Sequence, residues 1–200
     1  MSEDKMIKRI GKEDKDPNYT ALFAKYNRAY KQDFFYECLL ILYAMLEDWT
    51  TALFYYLGMT SKNRDTVVKK YKKDVRNLLF MNEEDIRYGF DSLSGKLKDT
   101  QKLLNYECLD KEMSAYAEEV VRIKDRYTKN ALFEEAIVYL NTIWRRLRNE
   151  ITYAMVNKDY NDLSYRLKPM IDEGLGSLRI IDNAIKNVKR QNVTKRFRIQ

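Results

Sequence analysis

Apolar residues recur at steps of three and four along most of the chain, and this spacing predicts amphipathic helices. The strongest repeat lies between residues 33 and 57 and consists of Phe35, Cys38, Leu39, Leu42, Leu46, Trp49, Leu53 and Tyr56. Ile41, Met45 and Phe54 widen this apolar stripe, so we expect the helix to be buried on most sides. Gly58 follows the last apolar residue and is a natural helix stop.

The same pattern predicts about seven helices, which together make an all-α bundle. They span 18–30, 33–57, 66–80, 82–106, 111–127, 130–155 and 160–191. Asn18, Asn82 and Asn130 are suitable N-caps. We expect the last helix to be interrupted near Lys168-Pro169, and again at the glycines that follow.

Composition supports long helices in one domain. The chain has 200 residues but only 6 glycines and 2 prolines, fewer than a β-rich fold needs for its turns. We therefore divide it into a flexible N-terminus (1–16), a single helical domain (17–192) and a basic C-terminal tail (193–200).

Several classes of function have no support in the residue content. The chain contains no histidine, and its two cysteines, Cys38 and Cys108, lie in apolar helical patterns, as expected of buried thiols in a reducing compartment. We therefore expect no metal and no cofactor. The charged N-terminus does not resemble a signal peptide, and the longest apolar run, 38–46, is too short for a membrane span. These features predict a cytoplasmic protein.

The net charge of +7 is concentrated at the C-terminus, because residues 183–200 hold six basic residues and no acid, which leaves +1 for the rest. A second basic segment lies in the predicted third helix. The candidate nucleic-acid-binding residues are Lys69, Lys70, Lys72, Lys73, Lys189, Arg190, Lys195, Arg196 and Arg198. Such segments bind nucleic acid or an anionic membrane surface, but basic helix faces are more often only solvated.

Segment 136–155 changes from apolar to polar within one predicted helix, and its polar half includes Arg145, Arg148 and Asn149. The guanidinium of Arg148 fits phosphate oxygens, and Tyr153 can donate a hydrogen bond or stack on a base. On a straight helix these two positions are about 140° apart, so they converge only at a bend or between two subunits. Alternatively, Arg148 forms a buried ion pair with Glu47 or Asp48.

Segment 147–154 (LRNEITYA) resembles the signature of the HEPN superfamily of small α-helical proteins, in which an arginine and a polar residue precede a histidine. The apolar helix with internal acids at 39–58 is similar to a helix of these proteins. The resemblance implies a metal-independent ribonuclease or an RNA-associated protein. It also implies a homodimer that joins two copies of the motif, and a protein partner in a phage-defence, toxin or CRISPR-linked system.

Carried over by residue, Arg148 matches the arginine that stabilises the scissile phosphate, Asn149 the polar residue and Tyr153 the histidine. We assign supporting roles to Glu47, Asp48, Arg145 and Thr152. Tyrosine has a pKa near 10 and accepts a proton poorly at neutral pH. The resemblance therefore implies RNA binding with weak or no ribonuclease activity. The alternative is a non-enzymatic α-helical dimerisation protein in which Arg148 is structural.

Overall fold

The structure, a computed structural model, describes residues 15–61, 67–81, 92–107, 113–128, 130–144 and 160–199. Its α-helices are α1 (Lys15–Lys31), α2 (Phe35–Tyr56), α3 (Lys72–Leu78), α4 (Leu93–Leu104), α5 (Ala115–Tyr127), α6 (Ala131–Tyr139), α7 (Tyr160–Arg190) and α8 (Val193–Arg196). Within these ranges the only extended pairing is an isolated bridge between Thr60 and Val67. The predicted all-α bundle is therefore confirmed.

Helix α2 lies at the centre of the bundle and packs against α7, α1 and α4. Its buried side chains occupy most of the helix circumference and include Cys38, Leu42, Leu46 and Phe54, all fully inaccessible. Fully burying each large apolar side chain contributes about 1.5–3 kcal/mol, which stabilises the bundle around this helix. By length and composition alone α2 could also cross a membrane, a property that buried core helices share with true spans.

Side-chain caps fix the starts of three helices. Ser92, Ser114 and Asn130 each accept a hydrogen bond from the backbone N–H three residues later, at 3.1, 3.1 and 2.9 Å. The expected cap at Asn130 is confirmed. Ser92 has extended backbone angles, so the predicted single helix over 82–106 is wrong: α4 begins only at Leu93. Asn82 lies outside the described residues.

Three other predicted helix features are wrong. Helix α1 begins at Lys15, so Asn18 lies inside it and does not cap it. The basic segment makes a 3₁₀ turn over Lys69–Tyr71, and its α-helix begins only at Lys72. Helix α7 continues through Pro169 without interruption. Pro169 is solvent-exposed, so water can satisfy the backbone carbonyl that the proline leaves unpaired, while the opposite face of α7 stays packed on the core.

The predicted central helix begins as expected but is not α-helical throughout its described part. Helix α6 ends at Tyr139 and continues as a π-helical turn over Leu140–Trp144. In this turn Asn141 donates a hydrogen bond to Gln101 Oε1 at 2.8 Å, whereas its buried side-chain oxygen Oδ1 accepts no hydrogen bond from the described residues.

The C-terminal segment (192–199) folds back onto the bundle and is not a free tail. Gly58 ends α2 with a left-handed φ of 76°, and Ile199 Cδ1 occupies the space that a side chain at Gly58 would need. Val193 is fully buried, while Phe197 and Ile199 pack against the core. The basic residues of this segment are therefore held in fixed positions by the apolar residues between them.

We predict opposite effects on stability for alanine at two glycines. A methyl group at Gly58 would collide with Ile199 Cδ1 and approach Tyr116 and Val193 to 3.3 Å, in a left-handed conformation that disfavours alanine. Gly58→Ala should lower the free energy of unfolding by about 2 kcal/mol. Gly176 lies in α7 with nothing near its missing Cβ, so Gly176→Ala should raise that free energy by about 0.5–1 kcal/mol.

Urea denaturation monitored by circular dichroism measures both glycine variants. If Gly58→Ala unfolded at the wild-type urea midpoint, Ile199 would not be packed against Gly58 in solution.

Candidate nucleic-acid interface

A cleft of about 570 Å³ opens where the C-terminal ends of α2 and α7 meet the folded-back C-terminal segment. The residues around it are hereafter called the basic cleft: Tyr55, Tyr56, Lys189, Asn192, Thr194, Lys195, Arg198 and Ile199. None of these residues is acidic. The cleft volume lies in the range usual for ligand sites.

Three cations give the basic cleft its charge. Lys189, Lys195 and Arg198 are solvent-exposed, and none of them forms an ion pair within the described part of the chain. Unpaired cations on a shared concave surface raise the local positive potential and attract anions. A guanidinium also offers two parallel N–H donors to a phosphate group.

Two tyrosines form the aromatic wall of the basic cleft. The rings of Tyr55 and Tyr56 lie 5.4 Å apart at an interplanar angle of 63°, and both are half-buried. Lys189 Nζ lies 5.8 Å from the centroid of the Tyr56 ring. Tyrosine rings next to cations can stack on bases while the cations bind phosphate.

Sequence reasoning missed several residues of the basic cleft: Tyr55, Asn192, Thr194 and Ile199 had no predicted role, and Tyr56 was predicted only as part of the apolar stripe. The available signal was the tyrosine pair in the last turn of the most apolar helix, directly before a glycine stop. The partners of this pair could not be read from the sequence, because they come from the other end of the chain.

The other predicted nucleic-acid-binding residues lie outside the lining of the basic cleft. Lys69, Lys72 and Lys73 are exposed on the surface near α3. Lys70 donates a hydrogen bond to the Phe197 carbonyl oxygen at 3.4 Å and lies over the Tyr71 ring. Arg190 donates to Asn187 Oδ1 at 3.2 Å on the surface of α7.

Arg196, another predicted nucleic-acid-binding residue, has a structural partner. Its guanidinium pairs with Glu119, which also receives two hydrogen bonds from Arg122 at 2.7 and 2.8 Å. The hydrogen bond from Arg122 is the largest of several contributions that lower the pKa of the Glu119 carboxyl below its usual value of 4.5. This three-residue group, hereafter the Glu119 cluster, ties the C-terminal segment to α5.

The predicted motif residues Arg145, Arg148, Asn149, Thr152 and Tyr153 lie outside the described residues. The two acids predicted to support them, Glu47 and Asp48, lie within the described residues.

Glu47 pairs with the buried Lys96 at 3.4 Å, and Asp48 accepts a hydrogen bond from Tyr19 at 2.6 Å. Both predicted supporting acids thus have polar partners from other helices, as expected for carboxylates in a largely buried helix.

A second cleft within the described ranges is less suited to a polyanion. It has a volume of about 620 Å³ and runs along α6, but it is mostly apolar and includes Glu134 and Glu135 with no cation. Burial raises the pKa of Cys38 to about 11 and that of Tyr139 to about 12, so neither side chain ionises at neutral pH. No three potential metal ligands converge within the described ranges.

Comparisons with protein-family models, with curated proteins and with solved structures find no match to this chain. Its function is therefore inferred from the geometry of the basic cleft and from the resemblance in segment 147–154.

We predict that the Glu119 cluster makes stability depend on pH. Because the folded-state pKa of Glu119 is lowered, its contribution is present above pH 4.5 and is lost as the pH falls through the folded-state value. Glu119→Gln should lower the free energy of unfolding by about 1 kcal/mol at pH 7, since both arginine partners are roughly half exposed. The loss should vanish at lower pH.

Glu118→Gln is the matched control for the Glu119 variant, because Glu118 is exposed on the same helix turn. Chemical denaturation of both variants, from pH 7 down through the folded-state pKa of Glu119, compares their free energies of unfolding. Equal losses in the two variants at pH 7 would show that the Glu119 cluster contributes nothing specific.

Proposed function

We propose that this protein is an RNA-associated helical protein that binds single-stranded RNA in the basic cleft. The main support for this proposal is that Lys189, Lys195 and Arg198 converge beside two tyrosine rings, with no acid in the lining of the cleft. Cations that follow a phosphate backbone beside rings that stack on bases are the usual elements of single-strand binding. The bases of a duplex are already stacked on one another, so their faces are inaccessible to the rings.

The resemblance of segment 147–154 to the HEPN signature supports RNA as the nucleic acid. In this proposal Arg148 and Asn149 contact RNA phosphate and Tyr153 occupies the histidine position, so that cleavage is weak or absent. The homodimer, the cytoplasmic location and the partner in a defence, toxin or CRISPR-linked system rest on the sequence features alone.

We predict that the basic cleft carries most of the RNA affinity. The triple variant Lys189→Gln, Lys195→Gln, Arg198→Gln should bind a labelled single-stranded RNA of about 12 nucleotides at least about tenfold more weakly than wild type. The salt dependence should also fall: the slope of log K against log salt should decrease by about 2, because each lost phosphate contact removes about 0.7. Fluorescence anisotropy at several salt concentrations measures both quantities.

A control variant separates the basic cleft from net charge. Lys25→Gln, Lys31→Gln, Lys98→Gln removes three exposed lysines elsewhere and lowers the net charge from +7 to +4, as the cleft variant does. The control should bind RNA with an affinity close to that of wild type. Equal weakening in both triple variants would reduce the interaction to non-specific charge and would refute the site.

We predict that histidine at position 153 increases cleavage. Tyrosine is a poor proton acceptor at neutral pH, whereas histidine titrates near pH 6.5 and suits general acid–base catalysis. Tyr153→His should therefore raise RNA cleavage by about a hundredfold over wild type. Adding Arg148→Ala should remove the gain, because the developing phosphate charge then loses its partner.

Denaturing gel electrophoresis of labelled RNA measures the cleavage rates. If Tyr153→His cleaved RNA no faster than wild type, segment 147–154 would not act as a HEPN-type site.

A further inference from the structure

More than half of the basic cleft is built from the C-terminal segment. Asn192, Thr194, Lys195, Arg198 and Ile199 belong to this segment, whereas α2 contributes the two tyrosines and α7 contributes Lys189. Two of the three cations are therefore in place only when the segment is folded onto the bundle.

Aromatic packing holds the segment down. The Phe197 ring meets Tyr71 and Tyr116 edge-on, at centroid distances of 6.0 and 5.5 Å, and these two tyrosines stack on each other at 4.1 Å. Tyr71 OH also donates a hydrogen bond to the Phe197 carbonyl oxygen at 3.4 Å. Edge-on aromatic pairs contribute about 0.5–1.5 kcal/mol each beyond their buried area.

The backbone of the segment turns sharply at both ends of α8. Asn192 and Arg198 have left-handed φ values of 54° and 52°. For arginine this conformation costs about 1–2 kcal/mol, so the packed state needs compensating contacts. Phe197 supplies them directly before Arg198, and the Glu119 cluster supplies them through Arg196.

The three cations of the C-terminal segment lie in two different environments. Arg196 pairs with Glu119 on α5, whereas its neighbours Lys195 and Arg198 line the basic cleft. One cation thus anchors the segment and two are available for a ligand.

We propose that Phe197 and Glu119 are positioning residues of the RNA site, which act by holding Lys195 and Arg198 beside Lys189 and Tyr56. This inference rests on the proposed function. RNA that contacts both α7 and the segment stabilises the packed state, and the packed state binds RNA more tightly, since the coupling is reciprocal. The apparent dissociation constant rises as the packed fraction falls.

The test compares Phe197→Ala, Phe197→Tyr and Glu119→Gln in the full chain, with the single-stranded RNA described above. If loss of the aromatic contacts reduces the packed fraction to about a tenth, Phe197→Ala binds RNA about tenfold more weakly although every cleft cation is intact. Phe197→Tyr keeps the ring and should restore affinity. Glu119→Gln should weaken RNA binding by about threefold. Because this change is milder, it provides the test of the positioning role if Phe197→Ala does not fold.

Hydrogen exchange distinguishes a role in positioning the cleft cations from a general contribution to stability. The amides of Phe197 and Ile199 bond to the carbonyls of Val193 and Thr194 at 2.9 and 2.8 Å, so they report on the packed segment. In a variant that binds RNA more weakly, the hydrogen-exchange protection of these two amides should fall in the absence of RNA. It should return at saturating RNA. Phe34→Ala, which removes an exposed ring at the far end of α2, should change neither affinity nor protection.

The possible failures are distinguishable. If wild type does not bind RNA, the proposed function and this inference both fall. Wild-type affinity in folded Phe197→Ala and Glu119→Gln, or weakened binding with no RNA-dependent return of protection, would overturn the positioning role and leave the proposed function standing.

Discussion

Helix α2 must be buried on most sides, and the rest of the bundle follows from that constraint. Its apolar residues cover most of its circumference, so one neighbouring helix is not enough to remove them from water. Helices α1, α4 and α7 pack against it from different directions. Without that burial the entropy lost in ordering the chain would not be offset.

The burial of α2 also determines where a polar surface can form. Helix α7 packs against α2, and Lys189 near the C-terminus of α7 lies over Tyr56 in the last turn of α2. At such helix ends the apolar faces stop and side chains meet solvent, so cations and tyrosine hydroxyl groups can be accommodated without loss of hydration. The basic cleft therefore lies at the margin of the core.

Gly58 connects the core to this surface. Its left-handed turn ends α2, and the missing side chain leaves space for Ile199. Val193 and Phe197 also pack against the apolar core, so the charged C-terminal residues are positioned by their uncharged neighbours. Charge pattern alone describes residues 193–200 as a tail, because it takes no account of the contacts that Val193, Phe197 and Ile199 make with distant parts of the chain.

Local features of the sequence determined the α2 helix, its stop at Gly58 and the cap at Asn130, because apolar spacing and capping act over a few residues. They failed at Pro169, where the exposed side of α7 leaves the freed carbonyl to water, and at the start of α3, where Val67 and Val68 pair with residues 59–60 as extended backbone. The sequence also identified Lys189, Lys195 and Arg198 as basic candidates, but it could not separate them from Arg196 or add Tyr55. Only the tertiary structure decided this, because convergence in one cleft depends on how residues distant along the chain pack together.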